Sequence, residues 1–224
     1  MRSGLFLDEW LLHAKRLEEW GDWMREELLL DVPHRQVVFT IPKMLRIFFK
    51  YKRRLLGDLC QAAVQALLKY FQATTGSQLR PGVVAVIQSF GQKISFHPHI
   101  HLLATEGGES FEGKFHHLTE FQDSLLAEFF KREVFALLLG EELISEDLVE
   151  KIAGWRHSGF LVQSKVRAQT RKEAERVGKY VIRPLLSLER LSFSEKEGKV
   201  CYRYGEGAEE VERMDYLEFH LSYP

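Results

Sequence analysis

Three histidines at alternate positions, His97, His99 and His101, occupy the short run "SFHPHIHLLATEGG". Alternate side chains of an extended chain project from one face. All three imidazoles therefore stand together, while Pro98, Ile100 and Leu102 point the other way. Neutral imidazole nitrogens are ligands for divalent ions, and neighbours on a strand face can converge on one. A lone histidine on a strand is ordinarily a surface or satisfied core residue; three within five positions of an apolar strand point to metal binding. Gln88, on the preceding run, can add an oxygen ligand across a hairpin or serve as a structural amide.

Two further constellations carry chemistry. In "RKEAERVGKYVIRP", Tyr180 is flanked by Arg171, Lys172, Arg176, Lys179 and Arg183, with Glu173 and Glu175 opposing them. A phenol with a pKa of about 10 is a poor nucleophile at neutral pH unless cations or a metal favour its ionised form, and both are at hand here. The bland alternative is a packing tyrosine on a solvated basic helix. In "KMLRIFFKYKRR", Lys43, Arg46, Lys50, Lys52, Arg53 and Arg54 alternate with Phe48, Phe49 and Tyr51. Cations neutralise phosphates and rings stack on unpaired bases, but an amphipathic helix with an aromatic core face reads the same way.

The elements that must position these groups follow from periodicity. Residues 5–30 repeat apolar positions at helical spacing and form an N-terminal amphipathic helical segment, residues 1–31. Val37 to Ile41 reads as a strand closed by Pro42. Lys43 to Thr74 is one long helix or a broken pair. Runs 83–91 and 93–105 make an antiparallel hairpin with the histidines on its second strand. A turn-rich loop, "EGGESFEGKFHHL", comes next, followed by helix over 119–153, a short strand in "SGFLVQS", helix over 170–182 ahead of Pro184, a strand in "KVCYRYG" and a short helical piece in "YLEFHLSYP". The result is an α+β fold, an antiparallel sheet with helices on one face.

Composition bounds the rest. The 224 residues are 45% hydrophobic, enough for one main core. Lysine and arginine total 31 against 32 acids, so any nucleic-acid role rests on local patches. Cys60 and Cys201 are too few and too far apart for a disulfide framework or a cysteine zinc cluster, which points to a reducing, cytoplasmic setting. Nowhere do about 18 apolar residues follow one another.

The pattern His99-Ile100-His101 with a tyrosine on a later helix resembles the HUH endonucleases. More closely, "VPHRQVVFTIPK", "IQSFG", "FHPHIHLLATEGG", "WRHSGF" and "KYVIRPLLSLERL" are similar, block by block and in order, to the rolling-circle transposases of one bacterial insertion-sequence family. The resemblance spans 32–224, which it implies is an HUH catalytic domain with a central antiparallel sheet covered by helices. It implies that His99 and His101 hold Mg²⁺ or Mn²⁺, with a third ligand among His97, Gln88 and Glu173. It further implies that Tyr180 attacks single-stranded DNA at transposon ends to give a 5′-phosphotyrosine. The two basic stretches make Lys43, Arg46, Lys50, Arg53, Arg54, Arg176, Lys179 and Arg183 the candidates for binding that DNA.

Departures qualify the resemblance. Family members often carry two tyrosines four residues apart, whereas Arg176 occupies the position four before Tyr180, so a single-tyrosine mechanism is implied. The family's cysteine-rich zinc segment ahead of "VPHRQ" has no counterpart, and the chain is expected to be truncated at both ends. The alternatives are an inactive remnant that only binds single-stranded DNA and a Zn²⁺ hydrolase built on all three histidines.

Overall fold

A computed structural model describes residues 15–90, 95–155, 158–182, 190–204 and 210–216. Its centre is a four-stranded sheet ordered β2-β3-β1-β6, formed by β1 (His34–Thr40), β2 (Val83–Phe90), β3 (Phe96–Thr105) and β6 (Leu161–Ala168). Every pairing is antiparallel. Two smaller sheets accompany it: β4 (Gly107–Glu109) with β5 (Phe115–His117), and β7 (Leu191–Ser194), β8 (Lys199–Tyr204) and β9 (Glu210–Asp215). The fold is α+β.

One face of the central sheet carries the main core. Val37 and Phe39 from β1, Ile100, Leu102 and Ala104 from β3 and Val162 from β6 are buried there. They pack against α3 (Leu55–Thr75) and α4 (Asp123–Gly140) through residues such as Leu59, Leu67, Phe130 and Val134. Phe130 meets Phe39 edge-on with ring centroids 4.9 Å apart, a favoured aromatic arrangement. The helix α3 stops where Gly76 turns left-handed at φ 69° and its N–H reaches the Gln72 carbonyl.

Helices cover the opposite face as well, which the one-sided expectation did not include. Leu103 of β3 and Ala168 of β6 join Ala174 of α6 (Arg171–Val181) and Met24 in a second, smaller cluster, with Val84, Val177 and Trp20 alongside. Met24 opens a π-helical turn (Met24–Leu28) that continues the helical residues 15–23, here called α1. The two helices approach closely: a Cβ on Gly178 would run into the end of the Met24 side chain. Thr170 caps α6 by accepting from the Glu173 N–H, and Glu173 reaches back to the Gln169 N–H.

Other elements differ in detail. The 43–74 segment is a broken pair after a 3-10 turn (Lys43–Leu45): α2 (Arg46–Tyr51), then α3. The 119–153 segment breaks into α4 and α5 (Glu146–Ala153). The short strand in "SGFLVQS" is an eight-residue strand, β6, alongside β1. The turn-rich loop contains the β4–β5 hairpin. The "YLEFHLSYP" helical piece lies outside the described residues from Leu217 onward.

At the end of the sheet away from the histidines, Glu106 is fully buried between two arginines. Arg35 Nη2 approaches its carboxylate at 2.7 Å and Arg167 grips it through Nε and Nη2. Arg35 also donates to the Ser164 and Thr119 carbonyls. This ties β1, β3, β6 and the loop before α4 into one hydrogen-bonded unit. Glu106→Ala leaves Arg35 buried without its counter-charge and costs about 3–5 kcal/mol. Urea denaturation of the variant checks this; a loss below about 1 kcal/mol contradicts it.

Candidate functional site

The register of β3 sets the site. Thr40 and Gln88 flank His99, and Val38 and Val86 flank His101, so these side chains share the face beneath α6. The rings stand in a row, with centroids 5.5 Å apart for His97 and His99 and 4.9 Å for His99 and His101. His101 is buried, and the other two are half-buried.

The hydrogen bonds around His99 define its chemistry. Its Nδ1 lies 2.8 Å from the His97 carbonyl oxygen, which only accepts, so Nδ1 carries the proton. In the neutral ring Nε2 then holds a lone pair, and it faces Gln88 Oε1 at 3.0 Å. The Gln88 amide cannot turn round to offer a proton, because its Nε2 donates to the Val181 carbonyl of α6 at 2.6 Å. Two acceptors therefore face each other. A positive charge between them resolves the arrangement.

Protonation of the imidazoles is disfavoured. Burial pushes the His99 pKa down; its bond to the His97 carbonyl opposes this, and the Arg46 charge adds to it. Burial, with the charge of His99, lowers His101 to about 4. His97 is also lowered to about 4, by burial, then Arg46, then His99. All three are thus neutral at physiological pH, the form that ligates metals. His97 Nε2 and His101 Nε2 are buried without a hydrogen-bond partner. His99 Nε2 and Gln88 Oε1 present lone pairs that fit a divalent cation accepting nitrogen and oxygen ligands, and the orphaned His101 Nε2 can join them when the ring proton sits on Nδ1.

The arrangement of three histidines on one ion is a different matter. Among the described residues no group of three or more His, Cys, Asp or Glu side chains is arranged to hold a metal, so the three-imidazole Zn²⁺ set is not assembled. Glu173 caps the start of α6, about 12 Å along the helix axis from Val181 at 1.5 Å per residue, which removes it from the ligand candidates.

Tyr180 is 66% exposed and immediately precedes Val181, whose carbonyl holds Gln88. Its helix lies over the histidine face. Arg176, one turn earlier, is exposed, as is Lys172. Lys179 instead turns toward α1 and is enclosed by Glu175, at 2.8 Å, and Glu18. Arg183 lies outside the described residues.

The basic aromatic patch divides. Phe49 is buried in the core, Tyr51 is exposed, and Arg54 is paired with Glu141 and Asp58. Lys43 is exposed, while Lys50 and Arg53 are half-buried. Arg46 stands apart: its Nε reaches the Ile41 carbonyl at 3.4 Å, its charge is felt by His97 and His99, and among the described residues no carboxylate pairs with it.

One residue of the site was not anticipated. Gln36, 7% exposed on β1, places its amide Nε2 2.9 Å from His101 Nδ1. Its place directly ahead of the apolar run "VVFTI" was the available signal.

Comparison with known proteins covers the part of the chain that carries these groups. The family model described as "Putative transposase" matches residues 82–220, well over half of the chain, including Gln88, His97, His99, His101 and Tyr180. The transposase for insertion sequence element IS801 of Pseudomonas savastanoi pv. phaseolicola is 28% identical over 193 residues, 80% of this chain and 46% of that protein. The chain thus spans less than half the length of that curated relative. No solved structure matches the chain. No helix of the described residues is long and apolar enough to cross a membrane. On the extent of the family match, the chain belongs to this transposase family.

Proposed function

We propose that the chain is an HUH-type DNA-nicking and strand-joining domain that acts on single-stranded DNA through Tyr180, with Mg²⁺ or Mn²⁺ as cofactor. The observation that carries this reading is the pair of facing acceptors, His99 Nε2 and Gln88 Oε1, 3.0 Å apart and tied to the carbonyl next to Tyr180. That separation matches adjacent ligands of an octahedral cation with ligand distances of about 2.1 Å. His99, His101 and Gln88 would hold the ion. When bound, it supplies Lewis-acid polarisation of the scissile phosphate and favours the ionised phenol.

The chain's own residues supply the rest. The Tyr180 oxygen forms a bond to phosphorus, and the bond from phosphorus to the DNA 3′-oxygen breaks. The electron pair leaves with the 3′-oxygen, which gains a proton in place of the one the phenol gives up. The strand is left with a free 3′-hydroxyl on one side and a 5′-phosphotyrosine on the other. Because the phosphodiester is conserved, attack by a 3′-hydroxyl on that linkage joins strands and returns Tyr180 without ATP. Arg46, a half-buried guanidinium with no carboxylate partner among the described residues, suits a DNA phosphate beside the histidines. Arg176 suits the strand approaching along α6.

Tyr180→Phe removes the nucleophile at an exposed position, so it abolishes the protease-sensitive DNA adduct formed with Mn²⁺ on end-labelled oligonucleotides while stability stays within about 0.5 kcal/mol. An undiminished adduct in the variant contradicts the assignment. Arg46→Ala weakens single-strand binding and lowers the magnitude of the slope of log affinity against log salt by about 0.7; an unchanged slope in a salt titration removes Arg46 from the phosphate contacts. Since His101 titrates near pH 4, protons do not compete for it at neutral pH. Burial lowers His99 as well, so Mn²⁺ affinity falls less between pH 8 and about 6 than at a site built from free imidazoles of pKa about 6.5; a decline as steep as that of free imidazoles, measured by calorimetry, contradicts the buried site.

A further inference from the structure

His101 can hold a cation through Nε2 only when the proton sits on Nδ1, and something must make that tautomer the stable one. The group at Nδ1 is the Gln36 amide, whose Nε2 lies 2.9 Å away. In β1, Val38 is the residue directly opposite His101, and Gln36, two positions along, shares its face. The pairing of β1 with β6 shifts register between Gln36 and Val38, an irregularity of the kind that re-aims a side chain. Gln36 and His101 are 7% and 8% exposed, so bulk water is not a ready substitute partner.

An amide presents opposite hydrogen-bonding characters at its two ends. With Nε2 toward Nδ1, the orientation in the structure, Gln36 donates, the ring proton sits on His101 Nε2, and that nitrogen is a buried donor with no partner. That state is costly and has no lone pair for a cation. With Oε1 toward Nδ1, Gln36 accepts, the proton stays on Nδ1, and the orphaned Nε2 presents its lone pair. Half a turn of one amide thus separates a ring that can ligate from one that cannot.

We infer that Gln36 is a positioning residue whose amide selects the tautomer of His101 and so sets whether Nε2 can hold the cation. This rests on the proposed metal site. It makes an opposed pair of predictions. A carboxylate can only accept, so Gln36→Glu locks the proton on Nδ1, as carboxylates behind metal-bound histidines do, and tightens binding. Gln36→Met has a similar length and no hydrogen-bonding end, so it weakens binding about 10–100-fold.

The test uses the full chain with ¹⁵N-labelled histidine. Imidazole ¹⁵N shifts of the metal-free protein report the His101 tautomer, and Mn²⁺ titration followed by electron paramagnetic resonance reports affinity. Thermal melts establish that each variant is folded, and His99→Ala serves as the control for the metal site. The expected result is a population shifted to the Nδ1–H form with tighter Mn²⁺ binding in Gln36→Glu, and weaker binding in Gln36→Met. Equal weakening in both folded variants with an unmoved tautomer assigns Gln36 a merely structural role and overturns the inference. Should Gln36→Glu not fold, Gln36→Met binding Mn²⁺ as tightly as the wild type overturns it alone. Wild-type protein that takes up no Mn²⁺, or takes it up as well after His99→Ala, overturns the metal site itself, a result distinct from failure of the Gln36 role.

Discussion

The hydrogen bond from Gln88 to the Val181 carbonyl is the constraint on which the site depends. A backbone carbonyl can only accept, so the amide must spend its N–H there and turn its oxygen on His99. That single contact joins the outer strand of the sheet to the end of the helix bearing Tyr180, and forces an acceptor against an acceptor at the centre of the histidine face. It needs the β2–β3 register that sets Gln88 opposite His99, and it needs α6 on the histidine side of the sheet. The α6 position is secured in turn by the close approach of α1 at Gly178 and by the capping of its first turn.

The two faces of the sheet divide the labour. Aromatic and aliphatic packing against α3 and α4 makes the principal core on one side. This leaves the other face free to carry polar groups whose desolvation is unfavourable. Burial keeps the imidazoles neutral, and Arg46 biases His97 and His99 the same way. The cation that would suit the facing acceptors is thus not replaced by a proton at neutral pH. Glu106 and its two arginines hold the far end of the same strands, so that charge pairing sits at one end and the unpaired acceptors at the other.

Much of this arrangement was legible in the sequence, for identifiable reasons. Strand alternation alone places His97, His99 and His101 on one face, and the brief Gly91-Gln92 connection announces the hairpin that brings Gln88 across, although residues 91–94 are themselves outside the described set. The helix expected over 170–182 is α6, Arg171–Val181. Long-range choices were not legible. Nothing local tells that Lys179 turns to Glu18 and Glu175, that Arg54 meets Glu141, or that Arg46 alone of its patch is felt by the histidines, because these outcomes depend on which helix packs beside which. The strand β9 escaped notice because "EVERMD" is dominated by charge, and the β4–β5 hairpin because its strands have three residues each and the first, "GGE", is mostly glycine. Gln36 was hidden for a similar reason: a buried amide becomes meaningful only once the β1–β3 register puts it within reach of His101.

The most direct test of the central claim is anomalous diffraction from crystals of the full chain grown with Mn²⁺. The account predicts one manganese peak coordinated by His99 Nε2, His101 Nε2 and Gln88 Oε1, with the Gln88 amide still donating to the Val181 carbonyl. A manganese ion bound without Gln88, or a histidine face that stays free of manganese at saturating concentration, would contradict it.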